Sequence, residues 1–95
     1  MLYAAKCYWP GIAESQLEQL AGTARGSHTD TDLADVSFLG SLLFQADDLV
    51  LCLFEAPSAA AVRRASERLG IPCERVMDST WLGPHAPVLS RRRRK

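Results

Sequence analysis

The chain has 95 residues, 47% of them apolar and 23% charged, and its formal net charge is zero. This composition is that of one ordinary globular domain and excludes wholesale disorder. No apolar run approaches the ~18 residues that a membrane-spanning helix needs, and the first residues lack the pattern of a signal peptide, so we predict no membrane partner.

The first half of the chain predicts a strand, a helix and a long polar loop. Leu2–Trp9 is rich in apolar and aromatic residues and ends at a Pro-Gly turn, as a strand does. Apolar residues then recur at helical spacing over Ala13–Arg25, and Gly26 is a natural helix stop. Residues 27–35 are polar and predict a loop.

The second half predicts a hairpin, a helix and a last strand. Val36–Gln45 and Leu49–Glu55 are apolar strands joined by a link short enough for an antiparallel hairpin. Ser58 is suited to be the N-cap of a helix that ends at Gly70. Glu74–Leu82 predicts the fourth strand.

The element order β-α-β-β-α-β predicts an α+β, ferredoxin-like fold, with a four-stranded antiparallel sheet and two helices on one face. We expect strands one and four not to be neighbours in this sheet. The domain is predicted to span residues 1–85. Residues 86–95, which contain five of the eleven basic residues, are predicted to form a flexible basic tail. Nucleic acid is not an expected partner, because the body carries no basic stripe.

Apolar residues fill both faces of the middle strands, although two helices can cover only one face of the sheet. Strict alternation places Val36, Phe38, Leu42 and Phe44 on one face of strand two, and Leu39 and Leu43 on the other. We therefore predict a homodimer in which the uncovered faces of two sheets pack together.

Three cysteines, Cys7, Cys52 and Cys73, occur without a secretory signal, which predicts reduced thiols in the cytoplasm. Cys52 lies in the most apolar run and is expected to be a small buried side chain. None of the three pairs has the close spacing of a zinc or redox site.

The helix entry Glu55-Ala56-Pro57-Ser58, the helix exit Gly70-Ile71-Pro72 and the strand end Tyr8-Trp9-Pro10-Gly11 resemble a family of small bacterial ferredoxin-like proteins. One branch of that family binds nickel. The resemblance covers about Leu2 to Leu82. It implies a ferredoxin-like fold, dimerisation, and nickel or another divalent metal as the bound cofactor.

One position departs from the family pattern, in which an aromatic residue of the second strand is followed two places on by histidine. Here the segment reads Phe38-Leu39-Gly40-Ser41, so Gly40 stands where the histidine is expected. The change removes an imidazole that could bind a metal. A glycine in mid-strand marks a bulge or a close approach, which favours a cavity for an organic ligand.

The remaining metal donors lie in the polar loop. His28, Asp30 and Asp32 could together hold a divalent ion, although their spacing matches no defined metal loop. The alternative is that residues 27–35 are a solvated loop without a ligand.

A pocket between facing sheets would have aromatic walls, as many small-molecule sites do. The residues expected to line it are Phe38, Gly40, Leu42, Cys7, Trp9 and Trp81. Asp78 is the candidate acid or base, and Lys6 and Tyr8 are candidate donors. The alternative is that the aromatic residues are core, and that Asp78 is solvated or paired with Lys6.

These observations favour a small dimeric binding protein for a divalent metal such as nickel. The alternative is a cofactor-independent enzyme of the isomerase, cyclase or monooxygenase type, acting on a small hydrophobic or aromatic compound between the sheets. No nucleophile elbow, phosphate loop or dinucleotide fingerprint is visible. The sequence alone therefore does not decide between a binding protein and an enzyme.

Overall fold

A computed structural model describes residues 1–25 and 35–84. Its elements are β1 (Leu2–Tyr8), α1 (Glu14–Arg25), β2 (Ser37–Phe44), β3 (Leu49–Glu55), α2 (Ala59–Leu69) and β4 (Cys73–Ser79). A 3₁₀ turn, Gln45–Asp47, joins β2 to β3. The predicted ferredoxin-like order is confirmed. The predicted tail, residues 86–95, lies outside the described residues and stays a prediction.

The four strands form one antiparallel sheet in the order β2-β3-β1-β4. The expectation that the first and last strands are not neighbours is wrong, because Leu2 to Cys7 of β1 pair with Ser79 to Cys73 of β4. Each strand-helix-strand unit skips one strand position, and the other unit fills that gap. The two units therefore interleave, which puts β1 and β3 at the centre of the sheet.

The core lies between the sheet and the two helices. Alternate residues of β1 and β3 are buried there, together with residues from both helices and Ile71. The buried sheet residues are Tyr3, Ala5, Cys7, Val50, Cys52 and Phe54, and the buried helix residues are Leu17, Leu20, Ala61, Val62 and Ala65. Both helices thus pack on one face of the sheet, which we call the helix-side face.

Helix α2 begins and ends where its capping residues predict. The Ser58 hydroxyl accepts a hydrogen bond from the backbone N–H of Ala61 at 3.2 Å, which satisfies one of the free donors of the first turn. Gly70 adopts a left-handed conformation, and its N–H bonds back to carbonyls of the last turn. Neither described helix, of 12 and 11 residues, is long and apolar enough to cross a membrane.

Strand β2 contains a bulge that corrects the predicted faces of its residues. Phe38 is opposite Phe54, but Gly40, not Leu39, is opposite Leu53, so β2 has one extra residue at this point. The extra residue inverts the alternation. Phe38 and Leu43 therefore pack against the helix-side core, whereas Leu42 and Phe44, predicted to share a face with Phe38, point to the opposite face of the sheet.

Gly40 makes this bulge possible, because its φ of +147° is a conformation that L-residues with a side chain rarely adopt. We expect Gly40→Ala to lower the free energy of unfolding by about 1–3 kcal/mol, measured by urea denaturation. No atom of the same chain lies within 4 Å of the added methyl group, so the loss would report backbone strain and not a steric clash within the chain.

Gly22→Ala in α1 is the matched control for that substitution. An added methyl group at Gly22 also meets no atom within 4 Å, but the backbone there is helical. Alanine favours a helix over glycine by up to about 1 kcal/mol, so this variant should be as stable as the parent or more stable. A Gly40→Ala variant that also kept full stability would contradict the strain argument.

Candidate functional site

The sheet face opposite the helices is apolar and partly exposed to solvent. Residues that pair directly across strands share a face, and this assigns the members of what we call the open face. They are Leu2, Ala4, Lys6 and Tyr8 of β1, Ser37, Gly40, Leu42 and Phe44 of β2, Leu49, Leu51, Leu53 and Glu55 of β3, and Arg75, Met77 and Ser79 of β4. Leu42 is 52% exposed and Phe44 41%. Exposed apolar side chains grouped on one sheet face make this face a candidate interaction surface.

The three predicted acid–base residues do not meet within the chain. Lys6 and Tyr8 belong to the open face. Asp78 is opposite Tyr3, a buried residue of the helix-side core, so Asp78 lies on the other face of the sheet, where it is exposed at the edge strand. The alternative pairing of Asp78 with Lys6 is therefore wrong, because the sheet separates the two side chains.

The six predicted pocket residues are also divided. Gly40 and Leu42 belong to the open face, whereas Phe38 and Cys7 are on the helix-side face. Trp9 follows β1 and packs against the core. Trp81 lies beyond the end of β4 and is exposed.

The structure brings the three cysteines together on the helix-side face, which their spacing in the sequence did not indicate. Cys7 of β1 is opposite Cys73 of β4. Cys52 of β3 is opposite Ala5 and so lies diagonally across from Cys7, on the other side of β1. Cys7 and Cys52 are fully buried, as predicted for Cys52, and Cys73 is partly exposed. The expectation that β1 and β4 were apart is what concealed this cluster.

The environment of the buried thiols shifts their pKa values in opposite directions. The pKa of Cys7 is raised, first because its thiol hydrogen-bonds that of Cys52 and then because it is buried. The same hydrogen bond lowers the pKa of Cys52. Burial raises that pKa and partly offsets the effect, whereas the Ser41 hydroxyl, 3.6 Å from the Cys52 sulfur, lowers it further. If either thiol ionises, it is Cys52.

Cys73 borders a small hollow of about 90 Å³ beside α2, lined also by Arg63, Ser66, Glu67 and Ile71. The Ser66 hydroxyl is buried near the Cys73 thiol but makes no hydrogen bond of good geometry among the described residues. Burial raises the pKa of Cys73, and the nearby Arg63 guanidinium only partly offsets this. The thiol is therefore protonated at neutral pH.

The thiolate, and not the protonated thiol, is the form of cysteine that alkylating reagents modify rapidly. The raised pKa of Cys73 therefore predicts slow alkylation. In a variant with Cys7→Ser and Cys52→Ser, we expect iodoacetamide to modify Cys73 more slowly than free cysteine at pH 7. The rate should keep rising with pH after free cysteine has reached its plateau. Urea-unfolded protein is the control and should react like free cysteine. A native rate at pH 7 above that of free cysteine would contradict the assignment.

A larger cleft of about 440 Å³ lies between α1 and β2. Its lining residues come from one side of the helix and from both faces of the bulged strand. They are Glu14, Leu17, Glu18, Ala21, Phe38, Gly40, Ser41, Leu42 and Leu43. We call it the α1–β2 cleft. Apart from Phe38, Gly40 and Leu42, none of these residues was a sequence-based candidate, because the cleft depends on the bulge.

The predicted metal donors His28, Asp30 and Asp32 lie outside the described residues, so their grouping stays a prediction. Within residues 1–25 and 35–84, no set of three or more His, Cys, Asp or Glu side chains is arranged to hold a metal ion. The three thiols, all on described residues, therefore form no such set either.

Comparison with known proteins gives the family of the chain. The family described as "Nickel responsive protein SCO4226-like" matches residues 9–78, which is more than half of the chain. The chain belongs to this SCO4226-like family. This SCO4226-like chain is similar in structure to SCO4226 from Streptomyces coelicolor A3(2), whose crystal structure it matches with a TM-score of 0.72 and 25% sequence identity. The match covers 87% of this chain and 100% of that one. A comparison with curated proteins gave no match.

Proposed function

We propose that this SCO4226-like protein is a small dimeric binding protein for a divalent metal such as nickel. The observation that carries the metal assignment is the match of residues 9–78 to a family of nickel responsive proteins. It agrees with the sequence-based hypothesis, which rested on the helix entry and exit motifs.

The donors that we propose for the metal are His28, Asp30 and Asp32. Imidazole and carboxylate groups are suitable ligands for a divalent ion of this kind. The described residues supply no alternative cluster, and Gly40 has no side chain to contribute. The proposal therefore assigns metal binding to the segment that connects α1 to β2.

Calorimetric titration of the protein with Ni²⁺ tests this assignment. We expect one class of binding site, and we expect the triple variant His28→Ala, Asp30→Ala, Asp32→Ala to lose the binding heat. Asp47→Ala removes a carboxylate from the exposed turn between β2 and β3 and should bind as the parent does. An absence of heat with the parent protein, or equal heat with the triple variant, would overturn the proposal.

The dimeric state is proposed from the open face. Its apolar side chains are left partly exposed by a single chain, and a second copy would cover them with an identical surface. These side chains are at most about half-exposed in one chain, so covering five or six of them contributes about 1 kcal/mol each, or roughly 5 kcal/mol per subunit, before the entropic costs of association. Two sheets packed face to face would form one hydrophobic layer.

We place the protein in the cytoplasm, because its three cysteines are free rather than joined in disulfides.

The alternative function, a cofactor-independent enzyme, has weaker support. Its candidate acid, Asp78, and its candidate donors, Lys6 and Tyr8, lie on opposite faces of the sheet, so one chain assembles no acid–base pair from them.

A further inference from the structure

We propose that the α1–β2 cleft is a binding site for a small organic cation, an amine that carries an apolar chain or ring. Its lining residues include none of the proposed metal donors, and it shares only Gly40 and Leu42 with the open face. The cleft holds about 440 Å³, within the range of small-molecule sites, and it combines an apolar wall with a negatively charged rim.

The wall of the cleft is apolar because it is the edge of the hydrophobic core. Leu17 and Ala21, one turn apart on α1, form one side. Phe38 and Leu43 of β2, which the bulge directs toward the helices, form the other. A hydrocarbon group in the cleft would therefore bury apolar surface against Ala21 and against three side chains that belong to the core or border it.

The rim of the cleft is negative. Glu14 and Glu18 lie one helical turn apart on α1, and both are exposed to solvent. Among the described residues that line the cleft there is no lysine, arginine or histidine. Two like charges this close repel each other, and a cation between them relieves the repulsion. Phe38 adds an aromatic ring, whose face attracts cations.

The free edge of β2 does not favour an added peptide strand as the occupant. The outward edge of β2 has no partner in the described sheet, but the bulge between Phe38 and Gly40 interrupts the regular spacing of its backbone groups. Bulges of this kind protect edge strands against further pairing. A compact ligand that uses the side chains, rather than the backbone of β2, fits the cleft better.

Three probes with the same six-carbon chain separate the contribution of charge from that of apolar contact: hexylamine, hexanol and hexanoate. Each is titrated into ¹⁵N-labelled protein, and amide shifts are followed by NMR. We expect hexylamine to shift the residues of α1 and β2 that line the cleft, with a dissociation constant of about 1 mM for a ligand of this size. Hexanol should bind more weakly and hexanoate least.

Variants assign the two contributions to residues. Glu14→Gln with Glu18→Gln should weaken hexylamine binding roughly fivefold and leave hexanol binding unchanged. Ala21→Leu, which fills the cleft from the helix side, should weaken both. Glu67→Gln removes an exposed carboxylate from α2 and is the matched control, expected to bind as the parent does. Circular dichroism of each variant should match that of the parent, since Glu14, Glu18 and Glu67 are exposed.

Several results would overturn the proposal. The first is that hexanoate binds as tightly as hexylamine, and the second is that hexylamine shifts amides mainly outside α1 and β2. The third is that no probe shifts any amide. The fourth is that the double glutamine variant binds hexylamine with the affinity of the parent. Failure of Ni²⁺ binding has no bearing on these measurements, because the metal and the organic cation are proposed for different residues.

Discussion

Phe54→Ala is expected to lower the free energy of unfolding by about 3–5 kcal/mol. Phe54 is the largest fully buried side chain, at 0% exposure, in the centre of the helix-side face. Its ring meets that of Phe38 edge to face, with 5.4 Å between centroids. A domain of this length has a total stability of about 5–15 kcal/mol, so the loss would be a large fraction of it. Urea denaturation followed by circular dichroism measures the effect.

Phe44→Ala is the matched control, because it removes the same ring from the open face of the neighbouring strand. Phe44 is half-exposed in one chain, so its loss should cost much less in core packing. Any cost should instead depend on protein concentration, since the proposed dimer stabilises the fold by mass action. Equal and concentration-independent losses in the two variants would show that the face assignment of β2 or β3 is wrong.

The elements that the sequence predicted best are those decided by local chemistry. Ser58 and Gly70 each serve one end of α2 through hydrogen bonds within a few residues, so their roles can be recognised without the rest of the fold. The hairpin of β2 and β3 is local in the same sense, because a three-residue 3₁₀ turn joins its strands.

The elements predicted least well depend on the backbone path or on contacts between distant residues. Gly40 indicated a bulge, but the sequence does not show whether that bulge contains an extra residue. One extra residue moves the side chains of Leu42 and Phe44 to the opposite face of the sheet. The pairing of β1 with β4 joins residues about 70 positions apart, and no local pattern reports it.

The same distinction explains what was found and missed at the candidate sites. The apolar open face could be predicted, because it requires only that both faces of the strands carry apolar residues. The cysteine cluster could not, since Cys7 meets Cys73 only through the pairing of β1 with β4. The α1–β2 cleft needs both the bulge and the position of α1. Acid–base chemistry was predicted from residue types, and the strand register separates Asp78 from Lys6.

Leu42→Lys should convert the proposed dimer to monomer at concentrations where the parent is dimeric. Leu42 lies on the open face and is 52% exposed in a single chain, so a lysine there is compatible with the monomer fold. In a symmetric dimer each substitution occurs twice. Because Leu42 is already half-covered in one chain, the interface loses about 1 kcal/mol of apolar burial per subunit, and it must also enclose two added charges. Together these raise the dissociation constant by about a hundredfold. Sedimentation equilibrium over a range of protein concentrations measures the change.

Leu82→Lys makes the identical change at a leucine that is 86% exposed beyond the end of β4. If the open face is the interface, this control should keep the dissociation constant of the parent, because Leu82 lies outside the paired strands. Both variants carry the same added charge, so a difference between them reports position rather than net charge. A parent protein that sediments as a monomer, or equal weakening by both substitutions, would remove the open face as the site of dimerisation.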